Sequence, residues 1–248
     1  MLERCEDADG FVGYRSPRLA ALGVPHLFTT RIGSGRSELD LGKLDARARE
    51  RLRGALNAGT ASFVKVHQVH GADVLVVGAS ELPSADARAD ALVTERKDVL
   101  VGVHVADCVP VLLARADGKR VAAVHAGWRG LVAGVLPNAL ELLGKNAVAA
   151  LGPCIGEGAF EVGPEVAEAF ARAGLEHVIH ARENARPHVD LRAAAEAQLR
   201  AGGVRLLDST DRCTYRDASE FFSYRRDVTH GGRAHTGRLG AWIGVAPG

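Results

Sequence analysis

Cys108 and His125 border the apolar runs of HVADCVPVLLARADGKRVAAVHAGWRG, residues 104–130. His70 stands in the same way at the end of SFVKVHQVH, where Gly71 turns the chain away. The three positions share one local grammar: an apolar strand, a potential ligand, then a turn. A thiolate with two neutral imidazoles suits Zn²⁺, and three protein ligands leave a fourth position for water or substrate. The same residues also read as core side chains, or as a thiol nucleophile, Cys108, with His125 as its base and Asp107 or another carboxylate to orient it. Copper accepts Cys and His as well. The His-x-His pairs of a multicopper cluster are missing, however, and the close pairs His67/His70 and His177/His180 are spaced as HxxH. His177 and His180 read as a solvated helix end or loop.

Anion-binding candidates lie around these positions. Arg129 falls in the turn before an expected helix, Arg31 ends a strand beside a Gly/Ser turn, and Arg225 and Arg226 lie in FFSYRRD next to aromatic rings. A guanidinium fork matches phosphate or carboxylate, and its plane stacks on a ring. Each arginine taken alone reads equally as a solvated surface charge. Trp128 reads as packing or as the rim of a pocket.

The elements that must carry these residues follow from periodicity and breakers. Strands are expected over 26–31, 62–70, 73–77, 99–105, 109–114, 120–126, 147–151, 204–208 and 239–245, with the second of the central runs returning on the third through the turn at Asp117-Gly118. Helices are expected over 45–56, 131–143, 164–173 and 191–201, with Pro137 kinking or restarting the second and Asp190 capping the last. Strands and helices alternate without an internal repeat or a Pro-rich linker, as in one α/β or α+β unit.

Composition narrows the classes. The chain has 248 residues, 47% of them hydrophobic, and 31 Lys plus Arg against 30 Asp plus Glu, a formal net charge of +1. That length and content can bury a full core, and the balance gives no reason to expect nucleic acid as a partner. No apolar run reaches membrane-spanning length and the first residues, MLERCEDADG, carry no apolar leader, so a soluble, cytoplasmic protein is expected. The four cysteines, Cys5, Cys108, Cys154 and Cys213, form no CxxC pair and are expected as free thiols or ligands.

Taken together, QVHG (68–71), ADCVPVLL (106–113), VHAGWRG (124–130), GPCIG (152–156), FEVG (160–163) and FFSYRRD (221–227) resemble the YfiH/YlmD family, the bacterial group related to laccase domain-containing protein. The likeness runs from LFTTR near residue 27 to TGRLGAWI near residue 243. It implies a single domain over 1–248 of α+β class, a layered α/β/β/α sandwich with mixed sheets, distantly akin to cytotoxic-necrotizing-factor-type cysteine hydrolases. It implies zinc on His70, Cys108 and His125, with copper disfavoured. The implied activity is phosphorolysis of adenosine, inosine and 5′-methylthioadenosine to free base and ribose 1-phosphate, with adenosine deamination beside it.

On that reading His70, Cys108 and His125 are catalytic, and Asp107 is a proton shuttle or a carboxylate supporting the ligands. Arg31, Arg129 and Arg225 bind substrate or phosphate. The expected partners are a purine nucleoside and phosphate, with no nucleic acid and no membrane, for a monomer or weak dimer. Three other readings stand beside it: a metal-free Cys-His hydrolase or amidase of peptidoglycan precursors, a non-enzymatic nucleoside binder, and a copper-dependent polyphenol oxidase. Two departures from the family pattern bear on the pocket. The loop from Ile32 to Gly42 is short, and the stretch VTHGGRAH (228–235) is long, which leaves Arg225, Arg226 and Arg238 the least anchored assignments.

Overall fold

Runs of alternating side chains, each filling a core on one face and another on the opposite face, build two six-stranded mixed sheets. The computed structural model describes residues 1–43, 45–78, 81–84 and 86–247. In chain order its elements begin with β1 (Glu3–Glu6), β2 (Val12–Arg15), α1 (Pro17–Ala21), β3 (His26–Thr29), α2 (Ala46–Ala55) and β4 (Ser62–Val64). Next come β5 (Val74–Val77), β6 (Ala91–Thr94), β7 (Val99–Val105), β8 (Val109–Arg115), β9 (Val121–Ala126), α3 (Trp128–Ala133) and α4 (Val135–Leu143). The remainder are β10 (Ala147–Leu151), α5 (Pro164–Arg172), β11 (Ile179–His180), β12 (His188–Val189), α6 (Leu191–Ala201), β13 (Leu206–Asp208) and β14 (Leu239–Gly244).

The first sheet has the order β1-β2-β3-β14-β7-β4 and the second β13-β10-β8-β9-β6-β5. On β8, Val111 and Leu113 face the helices α3 to α6, while Leu112 and Ala114 face the other sheet. On β9 the same alternation sends Ala122 and Val124 outward to the helices and Val121 and Ala123 inward. The far side of the first sheet is covered by Leu52 of α2 and Leu56 just beyond it, packed with Leu27, Leu100 and Trp242. The result is the expected α/β/β/α layering. Among the described residues no helix is long and apolar enough to cross a membrane.

Gly102 shows how close the fit of the outer layer is. Gly102 of β7 lies opposite Trp242 of β14, and a β-carbon there would come within 2.2 Å of the indole. Gly102→Ala is expected to destabilise the fold by about 1–3 kcal/mol, the cost of overpacking a dense core. The urea midpoint measures it, and an unchanged midpoint would contradict the packing.

His26 illustrates a second constraint. Its buried ring donates from Nδ1 to the Val24 carbonyl at 2.9 Å and accepts the Ser16 N–H on Nε2 at 2.8 Å. Burial pushes its pKa below the ordinary value of 6.5. In the unfolded chain the ring takes up a proton near pH 6.5, whereas the folded one refuses it, so this contribution to stability is present above that pH and is lost as pH falls. The His26 ring resonances are therefore expected to titrate below 6.5, and an NMR midpoint at or above 6.5 would contradict the assignment.

The structure departs from the sequence pattern in three places. The strand expected over 62–70 stops at Val64, because the chain leaves the first sheet and His67 bridges to Arg88 at the second. Gln68 bridges the gap with its side-chain amide, which donates to the His104 carbonyl at 2.7 Å and accepts from the His104 N–H at 2.8 Å. The helix expected over 131–143 starts earlier and breaks at Gly134, whose φ of 85° is left-handed. Pro137 then falls in the first turn of α4, where a missing N–H costs no hydrogen bond. Third, β1, β2 and β6, each only four residues long, are additional strands.

Candidate metal centre

The ligand candidates meet where the two sheets part. His125 lies on the inward face of β9, and Cys108 sits in the turn entering β8, whose Pro110 pairs with His125. His70 arrives from the segment after β4. One donor atom from each of His70, Cys108 and His125 lies within 4.8 Å of the others, and among the described residues they are the one group of this kind. His125 is buried, Cys108 half-buried and His70 exposed, so the cluster opens outward on one side. The two imidazoles stand edge to face with centroids 4.7 Å apart.

Gly127 gives the cluster its room. A β-carbon there would lie 3.1 Å from the Cys108 sulfur and 3.2 Å from His70 Cδ2. A sulfur and two ring nitrogens converging around such a cradle fit a metal ion, and thiolate with imidazole is a donor set that suits Zn²⁺ and copper alike.

Asp90 organises the centre. Fully buried, its carboxylate accepts from His125 Nδ1 at 2.7 Å and from the backbone N–H groups of His70 at 2.9 Å, Gly71 at 2.7 Å and Val69 at 3.2 Å. Engaging Nδ1 leaves His125 Nε2 for Cys108 or a metal, the usual device by which a carboxylate fixes a ligand's tautomer. Those same bonds hold His70 at a left-handed φ of 61°, a conformation that costs a non-glycine residue roughly 1–3 kcal/mol. Burial raises the Asp90 carboxyl, but the bonds from His125 and Gly71 outweigh it and bring its pKa below the ordinary value.

The thiol answers to its neighbours. Burial alone would raise the Cys108 pKa, but the charge of His125 and hydrogen bonds from His125 and His70 bring it down. Burial likewise works to lower His125, and the Cys108 thiolate with Asp90 drives it up instead. Buried Cys154, by contrast, is pushed up to about 12 by desolvation. All four cysteines are free thiols, as expected.

Asp107 lines the cavity but does not support a ligand. Its carboxylate accepts from the Thr214 hydroxyl at 2.6 Å and the Arg225 N–H at 2.7 Å, and burial raises its pKa. With both oxygens occupied and a left-handed φ of 88°, Asp107 fastens the segments at Thr214 and Arg225 to the turn that carries Cys108. The carboxylate behind the ligands is Asp90. Sequence reasoning missed it inside the charge-rich ADARAD, and the available signal was an Asp standing directly before the apolar run ALVT.

A cavity of about 680 Å³ opens above the cluster. Arg129 and Arg225 line it as expected, with Trp128, Phe160 and Tyr224 at the same end. Arg129 lies over the Trp128 ring at 4.5 Å and Arg225 over Phe160 at 5.2 Å. Arg31 is not brought here: its guanidinium is spent on Glu38, on the Ala218 carbonyl at 3.0 Å and on the Phe222 ring at 4.6 Å. Arg226 is structural too, donating to the carbonyls of Thr214, Tyr215 and Phe221. The long stretch from residue 228 begins in a π-helical turn, Arg225–His230, that places Thr229 in the cavity wall and His230 against the Tyr215 hydroxyl at 3.1 Å. Lys65, His104 and Arg238 also line the cavity, the first two unforeseen from sequence.

Fold and site together define an α+β sandwich protein with a Cys-His metal-capable centre between its sheets. The family described as "Multi-copper polyphenol oxidoreductase laccase" matches residues 26–246, and the chain belongs to it. A purine nucleoside phosphorylase of Deinococcus radiodurans is 36% identical over 96% of this chain and 94% of its own. A protein of an unknown prokaryotic organism named adenosine deaminase RL5 is 38% identical over 60% of this chain and 61% of its own. The crystal structure of YlmD from Geobacillus stearothermophilus superposes with a TM-score of 0.84 at 27% identity, covering 98% of this chain and 99% of that one.

Proposed function

We propose that this chain is a zinc-dependent purine nucleoside phosphorylase that acts on adenosine, inosine and 5′-methylthioadenosine and also deaminates adenosine. The observation that carries the reading is the His70–Cys108–His125 cluster opening on a cavity with aromatic walls and cationic side chains. The likeness to relatives named as phosphorylase and deaminase supports it. His70, Cys108 and His125 would hold the zinc. When bound, zinc polarises an oxygen and lowers the pKa of water to about 7.

The chain's own residues do the rest. Asp90 fixes His125 and the His70 backbone, so the donors are arranged before substrate arrives. Trp128, Phe160 and Tyr224 offer faces on which a purine stacks. In phosphorolysis a phosphate oxygen bonds to the anomeric carbon as the glycosidic C–N bond breaks. The bonding pair leaves with the purine, which takes up a proton. In deamination water adds at purine C6 and ammonia departs. Zinc-loaded protein with inosine and phosphate should yield hypoxanthine and ribose 1-phosphate, and failure of both while adenosine also stays untouched defeats the proposal.

One observation favours a second reading. Cys108, His125 and Asp90 are linked in series, thiol to imidazole to carboxylate, as in a thiol hydrolase. Such an enzyme loses activity to a thiol alkylator and keeps it under chelation, whereas the zinc enzyme loses it to a chelator.

A further inference from the structure

Four cationic side chains line the cavity, Lys65, Arg129, Arg225 and Arg238, and among the described residues none of them forms an ion pair. Other arginines are matched to carboxylates: Arg212 to Glu220 and Asp217, Arg226 to Asp227. Cationic side chains that no carboxylate pairs directly are ready for an anion from outside.

The four divide by their backing. Arg129 and Arg225 each lie over a ring, and Arg225 is tied to the Glu161 carbonyl at 2.7 Å. A guanidinium stacked on a ring forms a broad flat surface that suits a planar base. Among the described residues no ring lies beneath Lys65 or Arg238. They come from the first sheet, where the ends of β4 and β7 meet the start of β14.

Arg238 uses Nη1 on the carbonyls of Thr236 and Gly237, at 3.0 and 3.3 Å, which leaves the rest of its fork unengaged. Asp40, the carboxylate at this corner, accepts from the backbone N–H groups of Gly42 and Arg238, both at 2.8 Å. His104 stands beside them with Nε2 buried and unpartnered. Burial, then the charges of Lys65 and Arg238, push its pKa down to about 4. It is therefore a neutral ring, which does not oppose an arriving anion as a carboxylate would.

We propose that Lys65 and Arg238, flanking His104, form the subsite for inorganic phosphate, and that the ring-backed Arg129 and Arg225 form the platform for the purine. The inference rests on the phosphorylase reading and adds to it the orientation of the two substrates: anion at the end of the first sheet, base at the end of the second. An ammonium and an open guanidinium fork are the pair suited to a tetrahedral oxyanion.

The test uses zinc-loaded enzyme and the variants Lys65→Gln, Arg238→Gln and Arg129→Gln, each checked for an unchanged thermal midpoint. Lys65→Gln and Arg238→Gln should raise the KM for phosphate about ten-fold or more while the KM for inosine stays within about two-fold. Arg129→Gln should do the reverse. An unchanged phosphate KM in both of the first two variants, or a phosphate KM raised by Arg129→Gln alone, overturns the assignment. Phosphate binding without nucleoside, followed by ³¹P line broadening, gives a readout free of turnover. If wild type binds phosphate, the two variants lose it, and no phosphorolysis occurs, the subsite stands and the phosphorylase reading falls. An AMP arm separates the sources of the oxyanion: variants that weaken AMP inhibition yet leave phosphate KM alone assign the corner to a nucleotide 5′-phosphate and overturn the proposal.

Discussion

On the proposed reading, Cys108→Ala is expected to abolish turnover and zinc binding together. The sulfur is the one anionic donor of the cluster, and the other two, on His70 and His125, are imidazoles. Without it two imidazoles remain, too few for an ion that takes at least three protein ligands in catalytic sites. A Lewis acid contributes several kcal/mol of transition-state stabilisation, so kcat/KM for inosine should fall about 10³-fold or more. The fold should survive, because Cys108 is only half-buried and lies just outside the β8–β9 pairing, which begins at Val109. Metal analysis with steady-state kinetics measures both effects. A variant that keeps full zinc, or full activity, contradicts the assignment.

Asp90→Ala is expected to be the most damaging single change outside the ligands. Four donors converge on that carboxylate: His125 Nδ1 and the backbone N–H groups of Val69, His70 and Gly71. Each buried donor left unpaired costs about 1–3 kcal/mol. Partial hydration of the half-buried groups trims the sum, and a total loss of about 3–5 kcal/mol is expected. Releasing His125 and the left-handed backbone at His70 also disorders two ligands, so zinc affinity should fall about 10–100-fold or more. Asp90→Asn keeps the shape and one acceptor oxygen and should fall between wild type and alanine on both measures. Chemical denaturation and competitive zinc titration test the pair, and an alanine variant with wild-type stability and affinity would remove Asp90 from its organising role.

The contrast between Cys108 and Asp90 explains what could be read from sequence. The ligand candidates were legible because each borders an apolar run beside a turn, although at His70 the strand itself ends early, at Val64, and the hairpin through Asp117-Gly118 forces β8 and β9 together in the register that brings Pro110 opposite His125. The alternation of apolar runs with helical stretches gave one α/β or α+β unit, and the α/β/β/α layering followed from the resemblance alone; runs such as β7 and β8 are buried on both faces. Asp90 was hidden because its alternation with Arg88 and Asp86 imitates a solvated edge, and its role exists only through contacts 19 to 35 residues away.

Arg31 failed for a related reason. Its partners Ala218 and Phe222 arrive from nearly the other end of the chain, so nothing local marked it as engaged. Gln68 imitates a ladder residue with a side chain, which strand alternation cannot express. It carried the strand pattern past Val64 in the sequence while the backbone had already left the sheet.

On the proposed reading, zinc on His70, Cys108 and His125 makes this cavity a phosphorylase. The most direct test of that reading is to strip the protein with a chelator, add zinc back in steps, and follow hypoxanthine release from inosine and phosphate. Activity absent from the stripped protein and restored in full at one zinc per chain is the expected result. Stripped protein that releases hypoxanthine as fast as the reloaded enzyme would contradict the account.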